Sequence, residues 1–410
     1  MPLSVTAAPP TIPVAPLRPG QATASQAPAS QAPASQAPAS QAEGERALRQ
    51  VHRGVSELRR GAAALLLAED GSWLVAAGEL ASTATLARLA VLGTQPPVLL
   101  LAPARAAAVL HGPAPGGADA AAVPFRLPAG VTPAQLRSLA DPTASPPTTR
   151  PEVAGPVPGE AASAAIHLAK LARLLPAVVI TPVDTGGDAT GFARRHDLLS
   201  VPAAQVLGYP DMVAATLARV AEATVPLEDS SATRIIAFRP ADGGTEHLAI
   251  VVGDPWAAGA PPLVRLHSEC FTGDLLGSLR CDCGPQLRGA LALMAAEGAG
   301  VLLYLSQEGR GIGLVNKLRA YQLQDEGADT HDANTRLGYG ADERNFMIAA
   351  AMLRELGFTA VRILTNNPDK MSALEACGIT VANRVAHAFP PTQHNARYLQ
   401  TKAERFGHMF

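Results

Sequence analysis

Between residues 299 and 378 the chain alternates strand-like and helix-like segments. "GVLLYLSQEG" is an apolar strand opening into a Gly-rich turn, and "LVNKLRAYQLQDEG" is a helix ending at Gly327. "ERNFMIAAAMLRELGF" keeps Phe346, Ala349, Leu353 and Leu356 on one helical face. "AVRILTNN" is a second strand, and "PDKMSALEACG" a helix with Pro368 in its first turn. A strand that is followed by a helix returns parallel to its predecessor, so this stretch predicts parallel pairing, with a site at the C-terminal ends of the strands. Upstream, "TRIIAFRP" and "EHLAIVVGD" read as antiparallel strands around Asp242-Gly243-Gly244, and "PLVRLHSE" as a third strand. These elements define a unit over 222–410.

A second pattern precedes it. "RALRQVHRGVSELRRG" has Leu48, Val51, Val55 and Leu58 at helical spacing, while "AAALLLAED", "WLVAAG", "PPVLLLAP" and "AVVIT" are strand-like. "TPAQLRSLAD" opens with a Thr132 cap and Pro133 in the first turn, and "AASAAIHLAKLARLL" and "ATGFARRHDL" are further helices. This is an α/β unit over 45–215. Residues 1–44 carry "SQAPA" repeats without large apolar side chains, so they cannot offset chain entropy by burial and are expected to be a disordered tail. The fold class is therefore mixed α/β (α+β) with two domains and a tail.

At 48% hydrophobic and 17% charged residues, most of the chain can bury a core. A net charge of −2 argues against a general nucleic-acid binder, and no apolar run reaches membrane-spanning length. The N-terminus lacks the basic start and long apolar run of a secretory signal. Four cysteines among 410 residues are not a disulfide framework, and a reducing cytoplasm is the expected setting.

Three of those cysteines fall in "HSECFTGDLLGSLRCDCG", spaced C-x10-C-x-C. On an extended strand Cys281 and Cys283 would share a face, and Cys270 would arrive from the preceding strand. Three thiolates suit one Zn2+ per chain, and the fourth position left for water is the pattern of a catalytic site. A closed structural site with His267 or Cys377 as fourth ligand stays open on spacing alone.

"RLHSECFTGDLLGSLRCDCGPQL", "QEGRGIGLVNKLRAYQLQDEG", "GADERNF", "LTNNPDK" and "TKAERFGH" together resemble GTP cyclohydrolase II, the enzyme of the first step of riboflavin synthesis. The resemblance implies that GTP is opened at C8 of guanine with loss of formate and pyrophosphate. It implies zinc on Cys270, Cys281 and Cys283, with Tyr321 assisting ring opening by hydrogen bonding. Arg265, His267, Ser268, Glu269, Gln286, Glu308, Gly309, Arg310, Thr330, Thr365 and Lys370 match substrate-contacting positions. Alone, Arg265 or Lys370 would pass for a solvated charge, and Tyr321 for a packing residue. Asp342 and Arg344 match a proposed proton acceptor and a proposed nucleophile at the α-phosphate. A guanidinium stays protonated, so Asp342 would have to orient Arg344 or take its proton. Otherwise Asp342 caps the following helix, and Arg344 only stabilises phosphoryl charge. Mg2+ is implied for the pyrophosphate, and a homodimer is expected.

Residues 46–210 more weakly resemble 3,4-dihydroxy-2-butanone 4-phosphate synthase, through "GVSELRRGAAALLLAED", "TPAQLRSLADPTA", "HLAKLARLLPAVVI" and "FARRHDLLSVPAAQVLGY". The family's acidic stretch is missing where "LLLAED" runs into "GSWLVAAG". Its Gly-His-Thr-Glu is replaced by "EAAS", Glu160 to Ser163. Both magnesium-binding segments are thus lost, which implies an inactive domain kept for packing, dimerisation or regulation. A nucleotide sensor or scaffold without turnover, or a cyclohydrolase acting in another purine or pyrimidine pathway, are the alternative readings of the whole chain.

Overall fold

The computed structural model describes residues 37–117, 119–257, 259–387 and 389. The motif "TKAERFGH" and most of the repeat-bearing tail lie outside them. The first half contains α1 (Ala37–Arg59), β1 (Ala64–Ala68), β2 (Gly71–Ala77), α2 (Thr83–Leu92), β3 (Val98–Leu101), α3 (Pro103–Leu110) and β4 (Val123–Arg126). It continues with α4 (Pro133–Ala140), α5 (Gly159–Leu171), β5 (Ala177–Val183), α6 (Ala189–Arg195), β6 (Leu199–Pro202) and α7 (Ala203–Ala215). The second half runs β7 (Ala218–Thr224), β8 (Thr233–Arg239), β9 (His247–Gly253), β10 (Leu263–Ser268), α8 (Cys283–Glu297), β11 (Ala299–Leu305) and α9 (Leu314–Asp325). It ends with α10 (Thr330–Arg336), α11 (Met347–Glu355), β12 (Ala360–Leu364), α12 (Pro368–Ala376) and β13 (Thr380–Val385).

The class expected from sequence holds, with local corrections. The first helix begins at Ala37, inside the segment read as tail, and the second sheet begins at Ala218 rather than 222. Thr132 caps α4 through a reciprocal capping box with Gln135. The helix read from Glu343 starts only at Met347, with Phe346 at its cap position. Asp342 therefore does not cap it.

The first sheet has order β4-β3-β5-β2-β1-β6, antiparallel except for the β1–β6 pair. Its β1–β2 connection is a hairpin with Ala68 opposite Gly71, so only Glu69 and Asp70 form the turn. The second sheet has order β13-β12-β10-β11-β9-β8-β7. Strands β10, β11, β12 and β13 pair in parallel, as the strand–helix alternation predicts, while β9, β8 and β7 add an antiparallel flank. Strand β10 leaves the β8–β9 hairpin and inserts between β11 and β12, a non-local placement with no signal in its own residues.

The two halves do not keep separate cores. Ile312, Ala320 and Leu323 around α9, and Ala333, Leu337 and Tyr339 around α10, are buried with Leu99, Phe125, Leu136 and Leu175 of the first half. Ala203 and Val206 at the start of α7 belong to the first half's other core, whereas Ala214 and Leu217 at its end are packed with Ile236, Phe238 and Ile348. The described residues from 42 onward consequently form one unit. Among the described residues no helix is long and apolar enough to cross a membrane.

Candidate active site

The parallel strands deliver three loops to one pocket. Strand β10 leads to Ser268, Glu269 and Cys270, β11 to the Gln307–Gly311 turn, and β12 to Thr365, Asn366 and Asn367. Every substrate-contacting residue expected from sequence lines this pocket, as do the three clustered cysteines, Tyr321 and Arg344. Asp342 does not line it and reaches it through Arg344.

The thiols converge, but not along a strand. Cys283 is the first residue of α8, Cys281 lies just before it, and Cys270 caps the π-helical turn Phe271–Leu275. Cys270 Sγ and Cys281 Sγ are 3.7 Å apart, and all three sulfur atoms lie within 4.8 Å of one another. Gly273 makes this approach possible, because a Cβ there would sit 2.7 Å from Cys281 Sγ and 3.0 Å from Cys270 Sγ. Three soft donors so placed, without a disulfide, fit a Zn2+ ion. The thiol of Cys270 is held far below the usual range by hydrogen bonds from Cys281 and Cys283 and then by Lys317. Donating to Cys270 pushes the Cys281 thiol up to about 11. Among the described residues neither fourth-ligand candidate joins the thiol cluster: no ring nitrogen of His267 falls within it, and Cys377 sits at the end of α12 on a different cavity.

Lys317 is the principal residue that sequence reasoning missed. Its Nζ lies 3.0 Å from Cys270 Sγ, 3.0 Å from Thr272 Oγ1 and 2.9 Å from Glu308 Oε1. Burial pulls its pKa down, but Glu308 and Cys270 outweigh that and hold the ammonium above the ordinary lysine range. A signal existed: Lys317 precedes Tyr321 by four residues, so both lie on one face of α9. Asp274 was also missed. It accepts from the Cys270 N–H and the Tyr304 hydroxyl, each at 3.0 Å, and from His267, fixing the loop that carries the first thiol.

The remaining side chains are held with equal specificity. Arg265 is buried, donating to the Leu364 carbonyl at 2.9 Å and to Gln286, and desolvation lowers its pKa to about 10. Lys370 is buried too, 2.6 Å from the Leu266 carbonyl. Neither is a solvated surface charge. Glu308 accepts from the Phe271 N–H at 2.6 Å. Burial and then Glu308 push the Glu269 carboxyl up. Gly311 has φ +95° and a Cβ there would lie 2.7 Å from the Glu343 carbonyl, so the turn and the Asp342–Arg344 segment interlock backbone to backbone. Tyr321 is 3.5 Å from Thr272 Oγ1, and burial raises its pKa, so it enters the pocket as a hydroxyl donor.

Arg344 donates through Nε to both oxygens of Asp342 at 2.8 and 3.0 Å, pairs through Nη2 as well, and reaches Ser268 Oγ at 3.5 Å. Burial opposes ionisation of Asp342, yet these bonds hold its carboxyl below the usual range. First-half residues brace the same loops. Lys170 Nζ meets Glu343 Oε1 at 2.6 Å, and Asn345 Nδ2 donates to the Pro210 carbonyl at 3.0 Å. Arg173 donates to the Ser306 carbonyl, and Asn316 to the Arg173 carbonyl, both at 2.9 Å. Arg319 pairs with Glu79 and Asp141 at 2.8 and 2.9 Å.

Comparison with known proteins gives the family. The family model of GTP cyclohydrolase II matches residues 218–386. A protein of Azospirillum brasilense named GTP cyclohydrolase-2 is 52% identical over 373 residues, covering 89% of this chain and 95% of that protein. GTP cyclohydrolase-2 of Pseudomonas aeruginosa PAO1 is 59% identical over 172 residues, 42% of this chain and 83% of the relative. Among solved structures, a two-domain 3,4-dihydroxy-2-butanone 4-phosphate synthase from A. baumannii shares 20% identity over 83% of this chain and 99% of that one, with a TM-score of 0.34. With the relative from Azospirillum matched along nearly its whole length, the chain belongs to the GTP cyclohydrolase II family of enzymes.

Proposed function

We propose that the chain converts GTP and water to 2,5-diamino-6-(5-phospho-ribosylamino)pyrimidin-4(3H)-one, formate and pyrophosphate, using one Zn2+ per chain held by Cys270, Cys281 and Cys283. The observation that carries this reading is the meeting of three thiols, Lys317 and Tyr321 at one end of a pocket whose other walls bear buried cations. Bound there, the ion supplies Lewis acidity and water activation near neutral pH for hydrolysis at C8 of guanine. Lys317 keeps Cys270 ionised as a ligand and ties it to Glu308. Tyr321 donates a hydrogen bond toward the opening ring. Arg265, Gln286, Thr330, Thr365 and Lys370, with the Ser268–Glu269 and Glu308–Arg310 segments, form the nucleotide cradle, and Mg2+ enters with the pyrophosphate. Asp342 orients Arg344 against the α-phosphate. An aspartate already ionised by this pairing favours electrostatic stabilisation by Arg344 over loss of the guanidinium proton.

The domain reading is a tail over 1–44, a first domain over 45–215 and a cyclohydrolase domain over 222–410, acting as a cytoplasmic homodimer. The first domain is a degenerate dihydroxybutanone phosphate synthase. The two-residue β1–β2 turn leaves no room for an acidic loop. The carboxylate of Glu160 accepts from the Glu69 N–H at 2.7 Å, so it serves the hairpin. That domain instead braces the catalytic loops. The test is incubation of zinc-loaded protein with GTP, following formate and product absorbance. Cys281→Ser is expected to lose both zinc and formate release, while Cys377→Ser keeps both. Full zinc content and turnover in Cys281→Ser would refute the assignment.

A further inference from the structure

A second cavity, of about 820 Å3, is lined by helices and loops of both halves of the chain. Arg344 lines both cavities. This volume is in the range of small-molecule sites. Its walls come from both halves of the chain: Arg59, His167, Lys170 and Arg173 from the first, His247 and Arg344 from the second.

The charges in it do not cancel. Arg59, Lys170, Arg173 and Arg344 face two carboxylates, Asp342 and Glu343. Those two are taken by Arg344 and Lys170. Four cations less two carboxylates leaves two positive charges, those of Arg59 and Arg173. Arg59 Nε donates to the Ala172 carbonyl at 2.9 Å, and Arg173 Nη2 to the Ser306 carbonyl at 2.9 Å. Among the described residues neither guanidinium forms an ion pair with a carboxylate. Burial and then the charge of Arg173 pull the Arg59 pKa down, so two like charges crowd each other.

Neutral donors stand beside them. His167 Nε2 is buried and, among the described residues, has no hydrogen-bond partner. His247 Nδ1 accepts from the Ser306 N–H at 3.1 Å, which fixes its proton on Nε2 as a donor. Burial, followed by Arg173, lowers the His247 pKa to about 4, so it stays neutral at pH 7. Two guanidinium charges without a carboxylate partner, beside imidazole donors, match a dianion with several acceptor oxygens, such as a phosphate, better than a singly charged carboxylate or an uncharged group.

We propose that this cavity is a second, non-catalytic binding site for a phosphate group, carried by free phosphate or by a small phosphate ester. It is distinct from the nucleotide cradle, because Arg59, His167, Arg173 and His247 do not line that pocket. It is also independent of the reaction assigned above, since it needs no turnover.

The test titrates full-length protein with orthophosphate and with glycerol 3-phosphate while a non-hydrolysable GTP analogue fills the nucleotide cradle. Binding is followed calorimetrically at ionic strength held constant with chloride. One site per chain is expected. Arg59→Gln should weaken it about tenfold, the scale of one lost charge-assisted hydrogen bond, and Arg59→Lys should weaken it less. Tighter binding of the ester assigns an organic ligand, and tighter binding of orthophosphate a free anion. If a thermal melt shows that Arg59→Gln does not fold, His167→Phe carries the same test, with weaker binding expected. Absence of binding with the analogue bound, or unchanged affinity in a folded variant, overturns the proposal. Failure of GTP turnover with this binding intact would count only against the assigned reaction.

Discussion

Replacing Lys170 with Met tests whether the first domain contributes to catalysis through the loop that carries Arg344. Lys170 Nζ and Glu343 Oε1 are 2.6 Å apart, with the two side chains 24% and 22% exposed. Exposed pairs contribute about 0–1 kcal/mol, and breaking a fully buried pair costs about 3–5 kcal/mol. A pair shielded to this degree falls between them, at about 1–2 kcal/mol. Glu343 also accepts from the Gly340 N–H at 2.6 Å, and its backbone N–H donates to the Arg310 carbonyl at 3.0 Å, so the loop is loosened and not released. If the lost energy falls wholly on the competent loop conformation, kcat/KM drops about 5- to 30-fold, since each 1.4 kcal/mol is tenfold. Met keeps the apolar stem, so packing is largely spared. The assay is steady-state formate release from GTP alongside zinc content and a thermal melt. Zinc should stay stoichiometric, because Lys170 does not line the thiol pocket. A folded, zinc-replete Lys170→Met within twofold of wild type would refute the bracing role.

Three further outcomes are expected. Arg344→Ala should suppress pyrophosphate release even where zinc-free wild-type protein retains some, and equal release from variant and wild type removes Arg344 from phosphate chemistry. His247 has a folded pKa of about 4 against an ordinary 6.5, so the unfolded chain binds the extra proton between those values. Its stabilising contribution is therefore complete above pH 6.5 and is lost as pH falls toward 4, by at most about 3 kcal/mol. Urea unfolding of wild type and His247→Asn over that range should show a shallower pH slope in the variant, and parallel slopes would contradict the shift. The full-length chain should form no dihydroxybutanone phosphate from ribulose 5-phosphate with excess Mg2+, and measurable product would make the protein bifunctional.

Local chemistry announced much of this molecule. Hydrophobic periodicity located both strands and three of the helices of 299–378, because parallel strands buried on both faces read as continuous apolar runs, but it missed the short polar helix α10. The Thr132 cap was legible for the same reason, its bonds being made within four residues. The substrate positions came from long motifs that resemble a family, and the C-x10-C-x-C spacing was enough to suggest a metal.

Tertiary structure decided what that spacing meant. A strand would have put Cys281 and Cys283 on one face, but they meet Cys270 at the start of α8 because Gly273 leaves space for sulfur. Lys317 looks like an ordinary surface lysine in "LVNKLRAYQ". It becomes a partner of Cys270 only when α9 is packed with Ala320 and Leu323 in the first half's core, leaving Val315 and Leu318 on the other face exposed. The division into two domains was drawn from elements along the chain, yet α9 and α10 complete the core of the half that precedes them. Apolar periodicity states that a face must be buried but not against what, since hydrophobic burial is non-directional. The partner is fixed by packing among segments more than a hundred residues apart. The cavity with Arg59 and Arg173 arises at that junction, and neither half contains it alone.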